Sequence, residues 1–308
     1  GGQRPVSEAT RRRVLDAVAE LGYRPHPGAR SLKASGTGVI AVCAVNAVSS
    51  SSHADLEYIH RIMRGVTRAA REHEYAVVYV PDTRDGVHWE RLLFDGAIVS
   101  GPQKNDDNLR FLRAQGLPYV TIGRDPDRPD EGYWVDNDPE ESARLVLDHF
   151  HAHGARRVAA ITWPTTDYWT KQVLRAYGAW CEEHDLAAHV EELTSDSAEA
   201  LDASARRLLE SSSPPDAVFG VYELPAIAVL RAAAQLGIAV PGDLMVAGPS
   251  DFGLAEGSQP PMTTLEYDAE GHGREAADML IRLVRGERVE DPQRVLPVRL
   301  VERASTQR

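Results

Sequence analysis

The sequence predicts an α/β protein of two doubly wound lobes, each a parallel sheet covered by helices on both faces. Three observations predict it. From Val39 onward, short apolar runs alternate with longer amphipathic stretches, the pattern of parallel strands joined by crossover helices. The alternation falls into two sets that divide near residue 136. A basic segment of different character, residues 1–38, precedes both.

Taken in order, Ser7 can cap a helix by accepting an orphan amide proton. Val14, Ala17, Val18 and Leu21 then form an apolar stripe at helical spacing, with Arg11, Arg12 and Arg13 off it. Pro25 and Pro27 stop that helix, because proline lacks an amide donor and restricts the residue before it. Ala29 and Leu32 follow, three apart on one face of a short helix, with Arg30 and Lys33 beside them. Gly36 ends it. Two turns are too few for stability alone, so this segment needs a partner surface.

Strands are expected at Val39–Val45, Ala76–Val80, Ala97–Ser100 and Tyr119–Ile122 in the first lobe. Arg157–Thr162, Ala217–Val221 and Leu244–Ala247 follow in the second. Helices are expected at Leu56–His73, Ala143–His153, Tyr168–His184, Ala200–Ser211 and Pro225–Leu236. Crossovers between lobes fall near Val135–Asn137 and near Tyr267. The helix Glu270–Leu283 then returns to the first lobe and the strand Val295–Val301 to the second.

The run SEATRRRVLDAVAELGYRPHPGARSLKASGTGVIAV, residues 7–42, resembles the junction in lactose-repressor/galactose-repressor (LacI/GalR) family transcription regulators. There the last helix of a helix-turn-helix headpiece passes through a hinge helix into a sensor of the periplasmic-binding-protein type I fold. The resemblance implies residues 1–26 as the remnant of a DNA-binding headpiece, 27–37 as hinge and 38–308 as an effector-binding and dimerisation domain. Lobe one would take about 38–135 and 268–290, lobe two about 136–267 and 291–308. Two further headpiece helices, one reading the major groove, would precede residue 1. Ser7 and Thr10 match phosphate contacts, which position without reading sequence. Ala29, Arg30, Leu32 and Lys33 match the hinge contacts, with Leu32 the apolar wedge for the minor groove. One stretch departs from the family: Pro81–Leu93 is about ten residues shorter than the loop and three-turn helix usual there, near the dimer contact.

Open parallel sheets bind ligands at the carboxyl ends of their strands, and sugar pockets combine aromatic faces with a few polar groups. The second lobe offers Trp163, Asp167, Trp169, Lys171 and Arg175, with Tyr168 beside them. Where the family has an arginine that bridges sugar hydroxyls, this chain has Val173, which leaves Lys171 or Arg175 to substitute. Tyr222 and Glu223 stand where the family has an Asn-Asp pair. Ser250 replaces a family aspartate, Asp251 keeps the next, and Tyr267 stands where glutamine is common. Tyr58 and Arg124 are the candidates from the first lobe. With two of the replacements aromatic, an atypical effector is expected: a larger sugar, a glycoside or an aromatic-bearing ligand.

The charge distribution agrees. The chain carries a net −12 over 308 residues, yet residues 1–38 hold seven Arg and Lys against three Asp and Glu. A basic end on an acidic body concentrates attraction for phosphates in one place. No apolar run approaches the roughly 18 residues of a membrane span, and GGQRPVSEATRRR lacks a signal peptide's apolar core. Cys43 and Cys181, the two cysteines, lie far apart in apolar surroundings, which fits buried thiols in a reducing cytoplasm. His149, His151 and His153 form H-x-H-x-H, but only His149 and His153 share a helical face, so a metal would lack further ligands and a solvated helix end is expected. No nucleophile elbow, phosphate loop or zinc-protease motif occurs. The expectation is a DNA-binding regulator, a repressor, with an operator, a sugar-like effector and a second copy of itself as partners. It needs no cofactor and no metal and does no catalysis. The alternative is a periplasmic-type solute-binding protein, which leaves the basic helix and hinge signature unexplained.

Overall fold

The structure is a computed structural model, and it describes residues 7–21, 36–44, 53–80, 89–195, 197–250 and 253–308. Helix α1 is Glu8–Glu20. The first lobe then runs β1 (Val39–Ala44), α2 (His53–Glu72), β2 (Ala76–Val80), a single 3-10 turn at Trp89–Arg91, β3 (Gly96–Ser100), α3 (Asp107–Gln115), β4 (Tyr119–Ile122) and β5 (Trp134–Asn137). Lobe two runs α4 (Pro139–Ala152), β6 (Val158–Thr162), α5 (Tyr168–Glu183), β7 (Val190–Glu192), α6 (Ala198–Leu209), β8 (Ala217–Gly220), α7 (Glu223–Leu236), β9 (Met245–Gly248) and β10 (Thr263–Tyr267). The chain ends with α8 (Ala269–Val284), β11 (Gln293–Leu296) and β12 (Val298–Val301).

Two six-stranded sheets result, ordered β11-β5-β4-β3-β1-β2 and β12-β10-β9-β8-β6-β7. Every described pairing is parallel except β10 with β12. Parallel sheets are buried on both faces, and β3, β5, β6, β8 and β9 are buried along their whole length. In lobe one, α2 and α8 cover one face through Ile62, Val66, Ala276, Ala277 and Leu280 against Ile40, Ile98 and Val120. Leu109 and Leu112 of α3, with Trp89 and Phe94, cover the other. Lobe two has α4 and α5 on one side and α6 and α7 on the other. Both cysteines are buried thiols outside any disulfide, as expected.

The backbones of α2 and α8 cross closely because each presents a glycine. A Cβ on Gly65 would lie 1.9 Å from the Glu270 carbonyl oxygen, and one on Gly273 would lie 2.1 Å from that of Ile62.

Three chain segments cross between the lobes, as the expected course of the chain requires. The first follows β5, which belongs wholly to sheet one, so the chain leaves lobe one just after Asn137, at the crossover expected near Val135–Asn137. The second follows Tyr267. The third corrects the expectation of one strand over Val295–Val301: Gln293–Leu296 lies parallel to β5 in lobe one, and Val298–Val301 lies antiparallel to β10 in lobe two. Pro297 between them has no amide proton to continue a ladder. Asn137 donates from Nδ2 to the Leu296 carbonyl at 2.9 Å, pinning two crossovers together.

Aspartates start the helices at these junctions. Asp138 accepts from the amides of Glu140 and Glu141, with Pro139 at the first helical position, where its missing N–H costs nothing. Asp268 caps α8 in the same way.

Candidate functional site between the lobes

The carboxyl ends of β4, β5, β6 and β8 meet between the lobes, and the loops leaving them carry the site. From lobe one, Arg124 follows β4. Its guanidinium sits 4.2 Å from the ring centre of Trp134 and 5.0 Å from that of Tyr168 across the cleft. It also donates to the Tyr168 hydroxyl at 3.3 Å. Its Nε lies 3.8 Å from Asp136 Oδ2. Asp136 is buried, and burial pushes its carboxyl up to about 7 despite the Asn137 amide and the Arg124 charge, which pull it down. The remaining Coulombic push comes from Asp167 across the cleft.

From lobe two, Asp167 caps α5 through the Thr170 amide at 2.8 Å and accepts from Thr165 Oγ1 and from the Tyr222 hydroxyl. Tyr222 in turn bonds Thr170 Oγ1 at 2.8 Å. Burial, then the Asp167 charge, holds the Tyr222 phenol above its ordinary range. Trp169 meets Tyr267 edge-on at 6.2 Å. Tyr267 packs against the cores of both lobes, and burial, with Tyr58 and Asp136 nearby, raises its phenol. Tyr58 is half-buried on the lobe-one core, its phenol raised first by burial and then by Asp136. At the rim, Gln103 accepts from Thr166 Oγ1 at 3.0 Å, and the Lys104 amide donates to the same hydroxyl at 3.3 Å.

Of the residues singled out in the sequence, Tyr58, Arg124, Asp167, Trp169, Tyr222 and Tyr267 therefore come together. Others do not. Trp163 packs on the opposite core of lobe two, with α6 and α7. Lys171 and Arg175 are exposed on α5, and Val173, at the family's arginine position, is fully buried in the core, so nothing replaces that arginine in place. Glu223 is buried and accepts from the amides of Leu254 and Ala255 at 3.2 and 3.1 Å, which makes it the anchor of the loop after β9. Ser250 is buried at the start of that loop, and Asp251 lies outside the described residues. Trp134, Asp136 and Gln103 were not foreseen. The signal was present for Asp136, which sits near the carboxyl end of β5 at a crossover, whereas Trp134 opens that strand.

At the other end, Ser7 Oγ bonds Thr10 Oγ1 at 2.9 Å and accepts from the Thr10 amide, capping α1. Val14 and Leu21 of its stripe are exposed. The hinge positions Ala29, Arg30, Leu32 and Lys33 lie outside the described residues. Where the chain enters lobe one, Asp95 grips it, its carboxylate accepting from the amides of Thr37 at 2.6 Å and Gly38 at 2.8 Å. Two surface cavities lie elsewhere in lobe one. One, about 100 Å³, is bordered by Arg113 and Asp125, the other, about 200 Å³, by Arg294 and Glu275. In each those charges are already paired with one another.

The H-x-H-x-H run is not a solvated helix end. His149 is buried, its Nε2 2.7 Å from Thr306 Oγ1 and its Nδ1 3.8 Å from Glu302. His151 instead meets Trp180 and His184.

Residues 147–306 match the model of the periplasmic binding protein-like domain family. Over 317 aligned residues the chain is 32% identical to the HTH-type transcriptional regulator CelR of Thermobifida fusca, covering 99% of this chain and 92% of that protein. The structure of the transcriptional regulator CelR–cellobiose complex superposes with a TM-score of 0.77 at 27% identity, over 99% of this chain and 93% of that one. The lac repressor dimer bound to operator and the anti-inducer ONPF gives 0.81 at 23% identity, over 98% and 92%, a likeness of fold.

Proposed function

The chain belongs to the lactose-repressor/galactose-repressor (LacI/GalR) family of DNA-binding transcriptional regulators, and on that premise we propose that it acts as a homodimeric repressor whose operator affinity is set by a sugar or glycoside bound between its lobes. The observation that carries this reading is the set of groups facing one another across the cleft: Arg124, Trp134 and Asp136 on one side, Asp167, Tyr168 and Tyr222 on the other. Aromatic faces suit the apolar faces of sugar rings, and the carboxylates and guanidinium suit hydroxyls. One cation against two acids gives no surplus of positive charge for a phosphorylated ligand.

A ligand shifts the lobe angle by the difference in its affinity for the two states. Any change in that angle acts on all three crossovers, and through lobe one on the start of β1, where Asp95 holds Thr37 and Gly38. Upstream lie Ala29, Arg30, Leu32 and Lys33, the proposed DNA contacts, with Ser7 and Thr10 on phosphates. Coupling of this kind amounts to about 1–3 kcal/mol and is reciprocal. On this reading the ligand leaves chemically unchanged and the protein works in the cytoplasm, with its DNA. No helix among the described residues is long and apolar enough to cross a membrane.

The test starts with cellobiose and longer cello-oligosaccharides, then other saccharides, glycosides and nucleosides, in a thermal-shift screen. A ligand at 100 times its Kd stabilises by about 2.7 kcal/mol. The active compound should change affinity for a palindromic operator, and Leu32→Ala should weaken operator binding while leaving ligand affinity intact. Flat melting curves throughout, or unchanged operator binding in Leu32→Ala, would remove the reading.

A further inference from the structure

We propose that His149, His153 and Glu302 form a binding site for a divalent transition cation of the zinc class, which ties α4 to the C-terminal segment of lobe two. Their ligand atoms all lie within 4.8 Å of one another. The two histidines come from successive turns of α4, and the third donor, 149 residues beyond the last of them, arrives at the end of β12.

The hydrogen bonds around the cluster orient it for a metal. His153 Nδ1 lies 2.8 Å from the His149 carbonyl oxygen. A carbonyl only accepts, so Nδ1 carries the proton and the neutral ring presents the lone pair of Nε2. His149 Nε2 is engaged by Thr306 Oγ1, itself 2.7 Å from Thr263 Oγ1, and its Nδ1 is the nitrogen that faces Glu302. Metal-bound imidazoles almost always have the other ring nitrogen held in this way, which fixes tautomer and ring orientation.

At 3.8 Å, His149 Nδ1 and Glu302 Oε1 are too far apart for a hydrogen bond. Tetrahedral bonds of about 2.0–2.1 Å put neighbouring donors roughly 3.3 Å apart, so the site closes by an inward movement of the half-exposed Glu302 and half-buried His153 side chains. Two imidazoles and one carboxylate suit zinc and its neighbours, whereas magnesium and calcium take oxygen ligands. Three protein ligands leave the fourth position to water. The inference does not rest on the effector reading.

The experiment titrates Zn²⁺, and separately Mg²⁺, into the chelator-treated full chain by calorimetry, with melting temperature as a second readout. One saturable Zn²⁺ site per chain is expected, with a rise in Tm and no response to Mg²⁺. His149 is buried, so the variants are the accessible His153→Ala and Glu302→Gln, which should fold and melt like the metal-free protein. Each should weaken Zn²⁺ binding at least about tenfold, since loss of even an outer-shell partner costs about 10–100-fold. His151→Gln, on another face of the same helix, should bind as the parent does. Absence of a saturable site, undiminished binding in either ligand variant, or an equal loss in His151→Gln would overturn the site.

Discussion

Arg124 of lobe one lies 5.0 Å from the ring centre of Tyr168 in lobe two and donates to its hydroxyl, so one guanidinium bridges the cleft. It stacks on Trp134 at the same time. A cation over an aromatic face contributes about 0.5–2 kcal/mol depending on desolvation. That is little for the stability of either lobe, but enough to bias the angle between them. Tyr168→Ala should therefore leave the melting temperature nearly unchanged while the ligand-free protein expands. Small-angle scattering reads this directly, and an identical radius of gyration would show that the bridge does not hold the lobes.

Asp136 gives the cleft a pH dependence. Its carboxyl titrates near 7 in the folded chain, against an ordinary 3.8. The folded state therefore holds the proton more tightly than the unfolded state, and the group's contribution is fully present below about pH 4 and is lost as pH rises through 7. Asp136→Asn should flatten the slope of stability between pH 4 and 7, by an amount on the order of a few kcal/mol. Urea melts at pH 4.5 and 7.5 measure it, and parallel pH profiles for parent and variant would refute it.

The crossing of α2 and α8 tolerates no side chain at its closest points. Gly65→Ala or Gly273→Ala places a methyl against backbone carbonyl oxygens at about 2 Å, and overpacking of that kind typically costs 1–3 kcal/mol or more. Gly178 of α5 has nothing within 4 Å of an added Cβ. Gly178→Ala should instead stabilise by about 0.5–1 kcal/mol, because alanine loses less entropy in a helix. Equal melting temperatures for all three variants would contradict the close crossing.

Asp95→Ala removes the acceptor for two amides at the entry to lobe one. An unmade hydrogen bond at a partly buried site costs about 1–3 kcal/mol. Because the loss lies between the effector cleft and the proposed DNA contacts, operator affinity and its response to the ligand should fall. Ligand affinity without DNA should hold. A gel-shift series with and without the active saccharide tests this, and an unaltered response would place the coupling elsewhere.

Much of this was legible in the residues. The seven strands expected between Val39 and Ala247 all formed, because apolar runs of four to seven residues between turn signals have few alternatives in an alternating α/β chain. Helix starts were less legible. The helix expected from Ala143 begins at Pro139, because Asp138-Pro139 is a cap that an apolar stripe does not reveal. The strand expected at Val295–Val301 is two strands, broken at Pro297, whose significance depends on a partner strand in each lobe. In the cleft, strand-end aromatics pointed to Tyr222 and Tyr267, but helical phase put Lys171 and Arg175 in solvent and Val173 in the core. Trp134 and Asp136 were passed over because a fully buried strand end reads as core. Glu302 was beyond reach: nothing local links it to a helix some 150 residues earlier.

Sheet one is not complete until the chain has passed residue 296, since both α8, which covers one of its faces, and β11, its edge strand beside β5, come after the whole of lobe two. On the ribosome, Ile40, Ile98 and Val120 must wait for Ala276, Ala277 and Leu280 until about 155 residues beyond Val120 have been made, roughly ten to thirty seconds at ordinary rates of synthesis. While lobe two is being made, the nascent first lobe therefore carries an apolar face that only α2 covers.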